Sequence, residues 1–421
     1  MKKKKVLFIL SGNLSTTPRA LKSILSMKDD YHCDTLLVNR MKSWKDKDFD
    51  IIKSNNLNVT TLELGRDPFF NWFKSTILEK GAKLIYKKAN KNISVNAYAS
   101  NKAAIILKTH LSTLNLSDVD LVIGHSEGSM YPCWYVNKKW SIPFVFDVED
   151  FHPGETISVD TINEKNRREY LMKTILPEAS GLIFASPLIG KYTLDLIGDH
   201  PNSDVILNGF NDTEFKLTNN KVHFDEVGDS LRFVWFSQKI GYGRGLEELF
   251  EALSKILLNS HQVKLDLTLI GELDEKFNTD IIQNFQKKLG NSEIKVNVES
   301  SLPQKELHER LSRFDVGLAL EFNSSDLNRQ ICLTNKIITY AQAGLFILAT
   351  DTKAQKQFLH EFTELGALCG QTVNEIENSI LELLERNDEI KREKEQRFEI
   401  GKQLSWNTEE KKLRRLWKKI L

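Results

Sequence analysis

The chain is poor in cysteine, has no long apolar run and carries no excess of one charge, and each scarcity removes a class of protein. Its four cysteines, Cys33, Cys133, Cys332 and Cys369, show neither paired C-x-x-C spacing nor the density of a disulfide scaffold. A structural zinc site and a disulfide-stapled fold are therefore not expected, and a reducing compartment is. No stretch approaches the roughly 18 uninterrupted apolar residues of a spanning helix. Lys2 to Lys5 imitate the start of a secretion signal, but the apolar run Val6 to Leu10 stops at Ser11-Gly12, so the expected location is the cytoplasm. Lys and Arg number 58 against 57 Asp and Glu, a net charge of +1 over 421 residues. No global field favours nucleic acid, and no basic-aromatic stripe is present. With 41% hydrophobic and 27% charged residues the composition is that of a globular protein, not a disordered one.

What is present is alternation. Short runs of Val, Ile, Leu and Phe alternate with longer amphipathic stretches, the pattern of strand-helix units around parallel sheets, so the class is α/β. Strands are expected at 5–10, 35–38, 59–62, 120–124, 144–148, 181–185 and 205–207, then at 232–236, 266–270, 294–298, 316–320 and 346–349. About twelve parallel strands exceed one strongly twisted open sheet, so two sheets are implied. The seam falls after Asn208-Gly209, within 210–229, where a polar segment has few periodic apolar positions. A helical stretch from Pro68 to about Lys91 carries Phe69, Phe70, Trp72 and Phe73. Core packing is the first reading of these aromatics; contact with a membrane surface is the alternative, because Lys74, Lys80, Lys83, Lys87 and Lys88 lie close by. A final helix over 404–421, with Ser405 as N-cap, places Leu413, Leu416, Trp417 and Ile420 on one face to bury against a domain.

Four segments carry candidate chemistry. After the first strand, Gly12, Asn13 and Arg19 lie in a strand-to-helix turn, with Thr17 as cap and Pro18 opening the helix. It is either an ordinary turn or a place for Asn13 and Arg19 to bind substrate. The glycine-rich dinucleotide fingerprint and the Walker lysine are both missing there. The segment Asp147-Val148-Glu149-Asp150-Phe151-His152-Pro153-Gly154-Glu155 follows an apolar strand, at the sheet edge where open α/β folds bind ligands. His152 is a candidate to hydrogen-bond a sugar hydroxyl or phosphate, with Asp150 or Glu149 orienting it or accepting hydroxyl protons. A metal held by Asp147, Glu149 and His152 is disfavoured, since alternation points Asp150 and His152 away from the other two.

The third segment runs from Ser237 to Gly245, with Gln238, Lys239, Gly241, Gly243 and Arg244, between a strand and an amphipathic helix. Two cations beside a helix N-terminus suit a diphosphate leaving group. The fourth is Leu333 to Asp351, where Thr334-Asn335-Lys336 open a short helix that Gly344 closes before a buried strand, again a phosphate cradle.

In their order along the chain these segments resemble the GT-B retaining glycosyltransferases grouped as family 4, many of which build bacterial polysaccharides. The likeness rests on Ile206 to Phe210, the Ser237 to Gly245 loop, Leu269-Ile270-Gly271-Glu272, Leu302-Pro303 and Asn335 to Asp351. It implies two Rossmann-like domains facing across a cleft. Residues 1–210 would bind the acceptor, 211–403 the nucleotide-sugar donor, and a helix at 404–421 would cross back. It also implies a metal-independent transferase of hexosyl type, using no cofactor because the nucleotide sugar is itself a substrate. The sugar would pass to a glycan, lipid-linked or other hydroxyl acceptor, with retention. Asp150, His152, Lys239 and Arg244 would be catalytic. Gln238, Gly243, Gly271, Asn335, Lys336 and Thr339 would bind the donor, and Gly12, Asn13, Arg19 and Glu149 the acceptor. Partners would be the donor and the acceptor; peripheral contact with the inner membrane surface is a separate expectation that rests on Lys2 to Lys5 and the Trp72 region. At two positions where the family carries glutamates this chain has Ile331 and Thr339, and Gln238 or Lys239 replaces a family arginine. Two other readings follow: a sugar-nucleotide epimerase of the same architecture, or a nucleotide-sugar-binding protein that has lost the chemistry.

Overall fold

The computed structural model describes residues 3–40, 42–66, 69–157, 159–216, 230–259, 263–322 and 326–421. The chain forms two units, Met1–Leu207 with Glu410–Leu421 and Asn208–Glu409. Sequence placed these divisions at 210/211 and 403/404; most of the polar segment 211–230 lies outside the described residues.

The first unit holds a seven-stranded sheet. Its strands are β1 (Lys5–Leu10), β2 (His32–Asn39), β3 (Asn58–Glu63), β4 (Leu121–His125), β5 (Phe144–Val148), β6 (Gly181–Phe184) and β7 (Ser203–Val205). All pairs are parallel, in the order β3-β2-β1-β4-β5-β6-β7. The central strands are buried almost from end to end and apolar apart from Lys5, His125 and Asp147, as expected when helices cover both faces. Strand order reverses between β1 and β4, and ligands bind beyond the carboxyl ends of the strands at such a switch point.

The second unit repeats the plan with β8 (Leu231–Ile240), β9 (Leu265–Leu273), β10 (Ile294–Glu299), β11 (Val316–Ala319), β12 (Phe346–Thr350) and β13 (Gly366–Cys369). Their order is β10-β9-β8-β11-β12-β13, again parallel, with the reversal between β8 and β11. Trp235 and Phe233 on β8 are fully buried in its core.

The α/β class and the two sheets agree with the sequence; the differences are local. β13 escaped notice because it is four residues long and mostly half-buried. β8 runs on past Phe236 through an irregularity to Lys239 and Ile240, which pair with Glu272 and Leu273, so Ser237 to Ile240 are strand and not loop. The core-packing reading of the 69–73 aromatics is corrected. In the Phe69–Ile85 helix Trp72 is half-buried, but Phe69, Phe70 and Phe73 are exposed, Phe70 by 73%. The reason is layering: this helix packs on the Ile93–Ser100 and Lys102–Leu111 helices, outside the layer that covers the sheet. The closing helix, Trp406–Ile420, belongs to the first unit from Glu410 onward. Leu413 and Trp417 are buried, and Ile420 and Leu416 lie over Gly181, where an added Cβ would stand 2.7 Å from Ile420 Cδ1.

Candidate functional site

Each switch point carries a polar cluster, and the two differ in sign. In the first unit β4 ends in His125, followed by Ser126 in a left-handed conformation, φ 67°. Such a backbone costs a non-glycine residue on the order of 1–2 kcal/mol and persists only where its surroundings enforce it. Enforcement is visible at Gly128, where a Cβ would come within 2.8 Å of Ser11 Cβ: the Glu127–Trp140 helix starts hard against the loop after β1.

His125 is completely buried and stacks on Phe8. Its Nδ1 faces two carboxylates, 3.1 Å from Glu149 Oε1 and 3.4 Å from Asp147 Oδ2, while Nε2 has no hydrogen-bond partner. A proton on Nδ1 is donated to the carboxylates, which leaves Nε2 as an acceptor for a hydroxyl. His125, Asp147 and Glu149 present ligand atoms within 4.8 Å of one another, a set of metal-binding type. Asp147, however, is already neutralised: Arg19 Nε and Nη2 donate to its two oxygens at 3.1 and 2.9 Å, and Arg19 Nη1 donates to the Ile206 carbonyl at 2.7 Å. An incoming cation would have to displace a buried guanidinium fork.

Arg19 is thus a tether rather than the substrate-facing cation expected. Asn13 is one too: its Nδ2 donates to Asn39 Oδ1 and Asp48 Oδ2, each at 2.9 Å, and its Oδ1 accepts from the Arg40 amide. Thr17 precedes the Pro18–Met27 helix as anticipated, but its hydroxyl donates to the Asn13 carbonyl instead of capping. Gly12 has open space around it. Glu149 joins His125, as described. His152 goes elsewhere: its Nδ1 lies 2.9 Å from Glu155 Oε1, so Glu155 orients it through that nitrogen. Arg168 ties this pair to Glu127, reaching Glu155 Oε2 at 2.6 Å and Glu127 Oε1 at 2.8 Å. Burial works against a charge on His152, but the bond to Glu155 and the carboxylates of Glu127, Glu155 and Asp150 outweigh it and raise the pKa to about 9. His152 is a standing imidazolium at neutral pH, a donor and not a base. Asp150 is half-buried beside it.

In the second unit the turn Gly241 to Gly245 follows β8. Gly245 has φ +76°, and a Cβ there would meet Leu320 Cβ and Phe322 Cε2 at 2.7 Å, so only glycine fits. Gly243 has φ +71° in open space, and its amide donates to Glu247 Oε1 at 2.7 Å. Gln238 and Lys239 are exposed at the end of β8. Gly271, at the matching end of β9, lets the Ser237 carbonyl approach to 2.4 Å from where a Cβ would be.

The Asn335–Gln342 helix starts beside this turn's charges. Lys336 is buried, its Nζ 3.3 Å from Glu321 Oε1 and 4.8 Å from the centre of the Trp235 ring. Burial depresses its pKa, Glu321 opposes the drop, and the charges of Arg244 and Arg329 add to it. Three cations therefore gather at this helix start, with Glu321 paired to Lys336. The Thr334 hydroxyl, at the N-cap, is buried without a partner. Asn335 is exposed and accepts from Asn208 Nδ2 at 2.9 Å. Thr339 is not presented to a ligand: it is buried, and its hydroxyl donates to the Asn335 carbonyl one turn back at 2.6 Å. Gln342 anchors the segment after Asn208 through the amide and the carbonyl of Phe210, 2.9 Å each.

Sequence reasoning missed His125, Arg168, Glu321, Arg329 and Trp235. One signal was available: Gly124-His125-Ser126-Glu127 ends an apolar strand just as Asp147 to Asp150 does, and the expected strand stopped one residue short of it. Arg329 and Glu321 lie in sequence without a recognisable pattern, and only the fold brings them to Lys336.

No protein-family model and no curated protein matches the chain by sequence. Its structure is similar to that of HepE from Anabaena, solved with UDP and glucose, at 12% identity and TM-score 0.65, covering 99% of this chain and 100% of that one. It is similar also to sucrose-phosphate synthase from Thermosynechococcus elongatus, at 13% identity and TM-score 0.67 over 99% of each chain. A third is a putative UDP-N-acetylglucosamine 2-epimerase from Listeria monocytogenes, at 12% identity and TM-score 0.53, covering 94% of this chain and 91% of that. The fold is therefore that of the GT-B enzymes, two Rossmann-like units in one chain.

Proposed function

We propose that this chain is a glycosyltransferase that takes a sugar from a uridine diphosphate donor held by the second unit and passes it to a hydroxyl acceptor held by the first. The observation that carries the reading is the convergence of Lys336, Arg244 and Arg329 at the start of the Asn335–Gln342 helix, at a topological switch point. A diphosphate that departs as the glycosidic bond breaks gains negative charge, and preorganised cations plus helix N–H groups stabilise that charge most in a water-poor site. Lys336 supplies the buried charge, and Arg244 and Arg329 the rim. Gly241, Gly243 and Gly245 allow the backbone close to the ligand. Lys239 and Gln238 lie at the edge of the donor site. Thr339 does not hold the ribose, so other groups must.

In the first unit His125, braced by Glu149 and by the Arg19–Asp147 pair, offers Nε2 to a sugar or acceptor hydroxyl. His152, Asp150 and Gly12 frame the same sheet edge. The reading includes transfer with retention, the departing phosphate taking the acceptor proton, a route that requires no protein nucleophile. Since Arg19 fills the place of a cation beside Asp147, activity is metal-independent, and EDTA leaves it unchanged. The reading extends to a hexosyl donor, a cytoplasmic location and a glycan or lipid-linked acceptor in glycoconjugate synthesis.

The test is a thermal-shift and turnover panel of uridine and other nucleoside diphosphates and their sugars, on wild type and Lys336→Ala. A ligand that binds the folded chain raises its melting midpoint by mass action. A shift with UDP that Lys336→Ala removes supports the donor site. No shift with any of them sinks the reading and leaves the non-catalytic one. The carboxylates around His125 favour a second reading, epimerisation of the nucleotide sugar alone; a changed sugar with no acceptor present would identify it.

A further inference from the structure

The Phe69–Ile85 helix lies across the carboxyl edge of the first sheet. At its start Asn71 Nδ2 donates to the Glu63 carbonyl, where β3 ends. At its middle Thr76 and Glu79 receive Lys102, whose neighbour Asn101 donates to Glu127, just after β4. At its far end Tyr86 lies under the Arg167 guanidinium, which is paired with Asp160 in the connection after β5. The helix therefore passes the same edge that carries Asn13, His125 and Glu149.

One side of it packs on the helices beneath, and the other is apolar and uncovered. Phe69, Phe70, Phe73, Ile77 and Leu84 are exposed, Leu84 by 82%, and recur at spacings of three, four and seven residues. Val159 and Ile162, 74% and 77% exposed, continue the surface beside Asp160. The border is basic. Lys74, Lys80, Lys83, Lys87 and Lys88 are exposed, against the carboxylates of Glu79, paired with Lys83 and Lys102, and Asp160, paired with Arg167. Apolar side chains exposed together along one helix mark a surface for a partner. Lysines on its rim select a partner that is apolar within and anionic at its surface.

We infer that this helix docks the first unit on an anionic lipid surface, with Phe70, Phe73, Ile77 and Leu84 in the headgroup boundary and the lysines on lipid phosphates. The inference rests on the transferase reading and narrows it: the acceptor is carried on a lipid and is met at the bilayer, beside His125 and Glu149. Binding is reversible, because one amphipathic helix lies on a membrane and does not span it.

The experiment is flotation of the full chain with vesicles of phosphatidylcholine alone or with about a third phosphatidylglycerol, alongside Phe70→Ser/Phe73→Ser/Ile77→Ser and Lys74→Glu/Lys80→Glu/Lys87→Glu. Wild type is expected to float with the anionic vesicles and to stay down with the neutral ones. Each variant is expected to lose about tenfold or more in partitioning. Because the substituted side chains are exposed, both variants should keep the wild-type melting midpoint and its response to UDP. A wild-type chain that stays down with anionic vesicles, or serine variants that float as well as wild type, would overturn the inference. So would a dimer seen by light scattering and abolished by the serine substitutions, which would assign the stripe to a second copy. Loss of the UDP response in wild type would strike the transferase reading instead and leave flotation as it was.

Discussion

The two units share one topology, each an open parallel sheet with a strand-order reversal, yet their switch points are opposites. In the first, nearly every charge is spent on the protein itself: Arg19 on Asp147, Arg168 on Glu127, Glu155 and Glu164, His152 on Glu155. In the second, Lys336 pairs with Glu321 while the charges of Arg244 and Arg329 act on it as well, an excess of positive charge. A common scaffold fixes where a ligand binds, and the loops fix which charge it meets. On the proposed reading, the first holds neutral hydroxyls in a rigid polar frame and the second receives an anion.

The sharpest way to break this contrast is to remove one cation from each unit and watch stability. Arg19→Met leaves the Asp147 carboxylate buried and unpaired, and removing one partner of a buried pair costs about 3–5 kcal/mol. The melting midpoint should fall by about 10 °C or more at that cost. Lys336→Met removes a cation that burial and the charges of Arg244 and Arg329 already disfavour, and Glu321 keeps 13% side-chain exposure against 1% for Asp147, so the midpoint should move by only a few degrees, in line with about 1 kcal/mol. Equal losses in calorimetry would mean that the second cluster is as self-satisfied as the first.

Binding and turnover should split the other way. Lys336→Ala is expected to abolish the UDP-induced shift and to lower turnover about 100-fold or more, the scale of losing one preorganised stabilising group. His125→Ala is expected to leave the UDP shift intact and still lower turnover by a similar factor, read as kcat at saturating donor. A UDP response that His125→Ala removes would place donor recognition in the first unit and collapse the division of labour.

How legible this contrast was in the sequence depends on distance along the chain. Apolar runs with β-branched residues located twelve strands, and Gly344 and Pro18 punctuated the right turns, because these are local consequences of backbone chemistry. The cluster at Asp147 to Glu155 was visible as a polar segment following an apolar strand, at the sheet edge. Its internal pairing was not: Arg168 comes from a helix well downstream, and Glu155 won His152 because a turn of helix at 152–154 folded it back. Asn13 and Arg19 looked like ligand-binding groups because a sequence displays donors without showing which partners the fold has already supplied. Burial of the 69–73 aromatics was misjudged for the complementary reason: apolar character says that a surface needs covering, not that this chain covers it.

A smaller effect tests the self-neutralised state of the first unit through pH. His152 folds with its pKa raised to about 9 from an ordinary 6.5, so the unit holds a proton that the unfolded chain has given up between those values. Its contribution is complete below about pH 6.5 and is lost as pH rises toward 9, with a slope of up to about 1.4 kcal/mol per pH unit. Glu155, which burial alone would push up, is held down at about 2 by His152 and Arg168, so its share is present above about pH 4.5 and fails only in strong acid. The melting midpoint of wild type should therefore decline between pH 6.5 and 9, and Glu155→Gln should flatten that decline. A flat wild-type profile over the same interval would show that His152 is neutral in the folded chain.

The smallest effect separates two glycines of one turn. Gly243→Ala and Gly245→Ala both place an L-residue at positive φ, a cost of about 1 kcal/mol each. At Gly243 that is all, since the new methyl points into open space, whereas at Gly245 it also strikes Leu320 and Phe322 and must move the turn. Gly243→Ala should lower the midpoint by a few degrees and keep the UDP response, because the amide it carries is already bonded to Glu247. Gly245→Ala should lose most of that response along with more stability. If Gly243→Ala loses UDP binding as fully as its neighbour, the Gly243 amide leaves Glu247 for the diphosphate when donor binds, and the turn reorganises around the anion instead of receiving it ready-made.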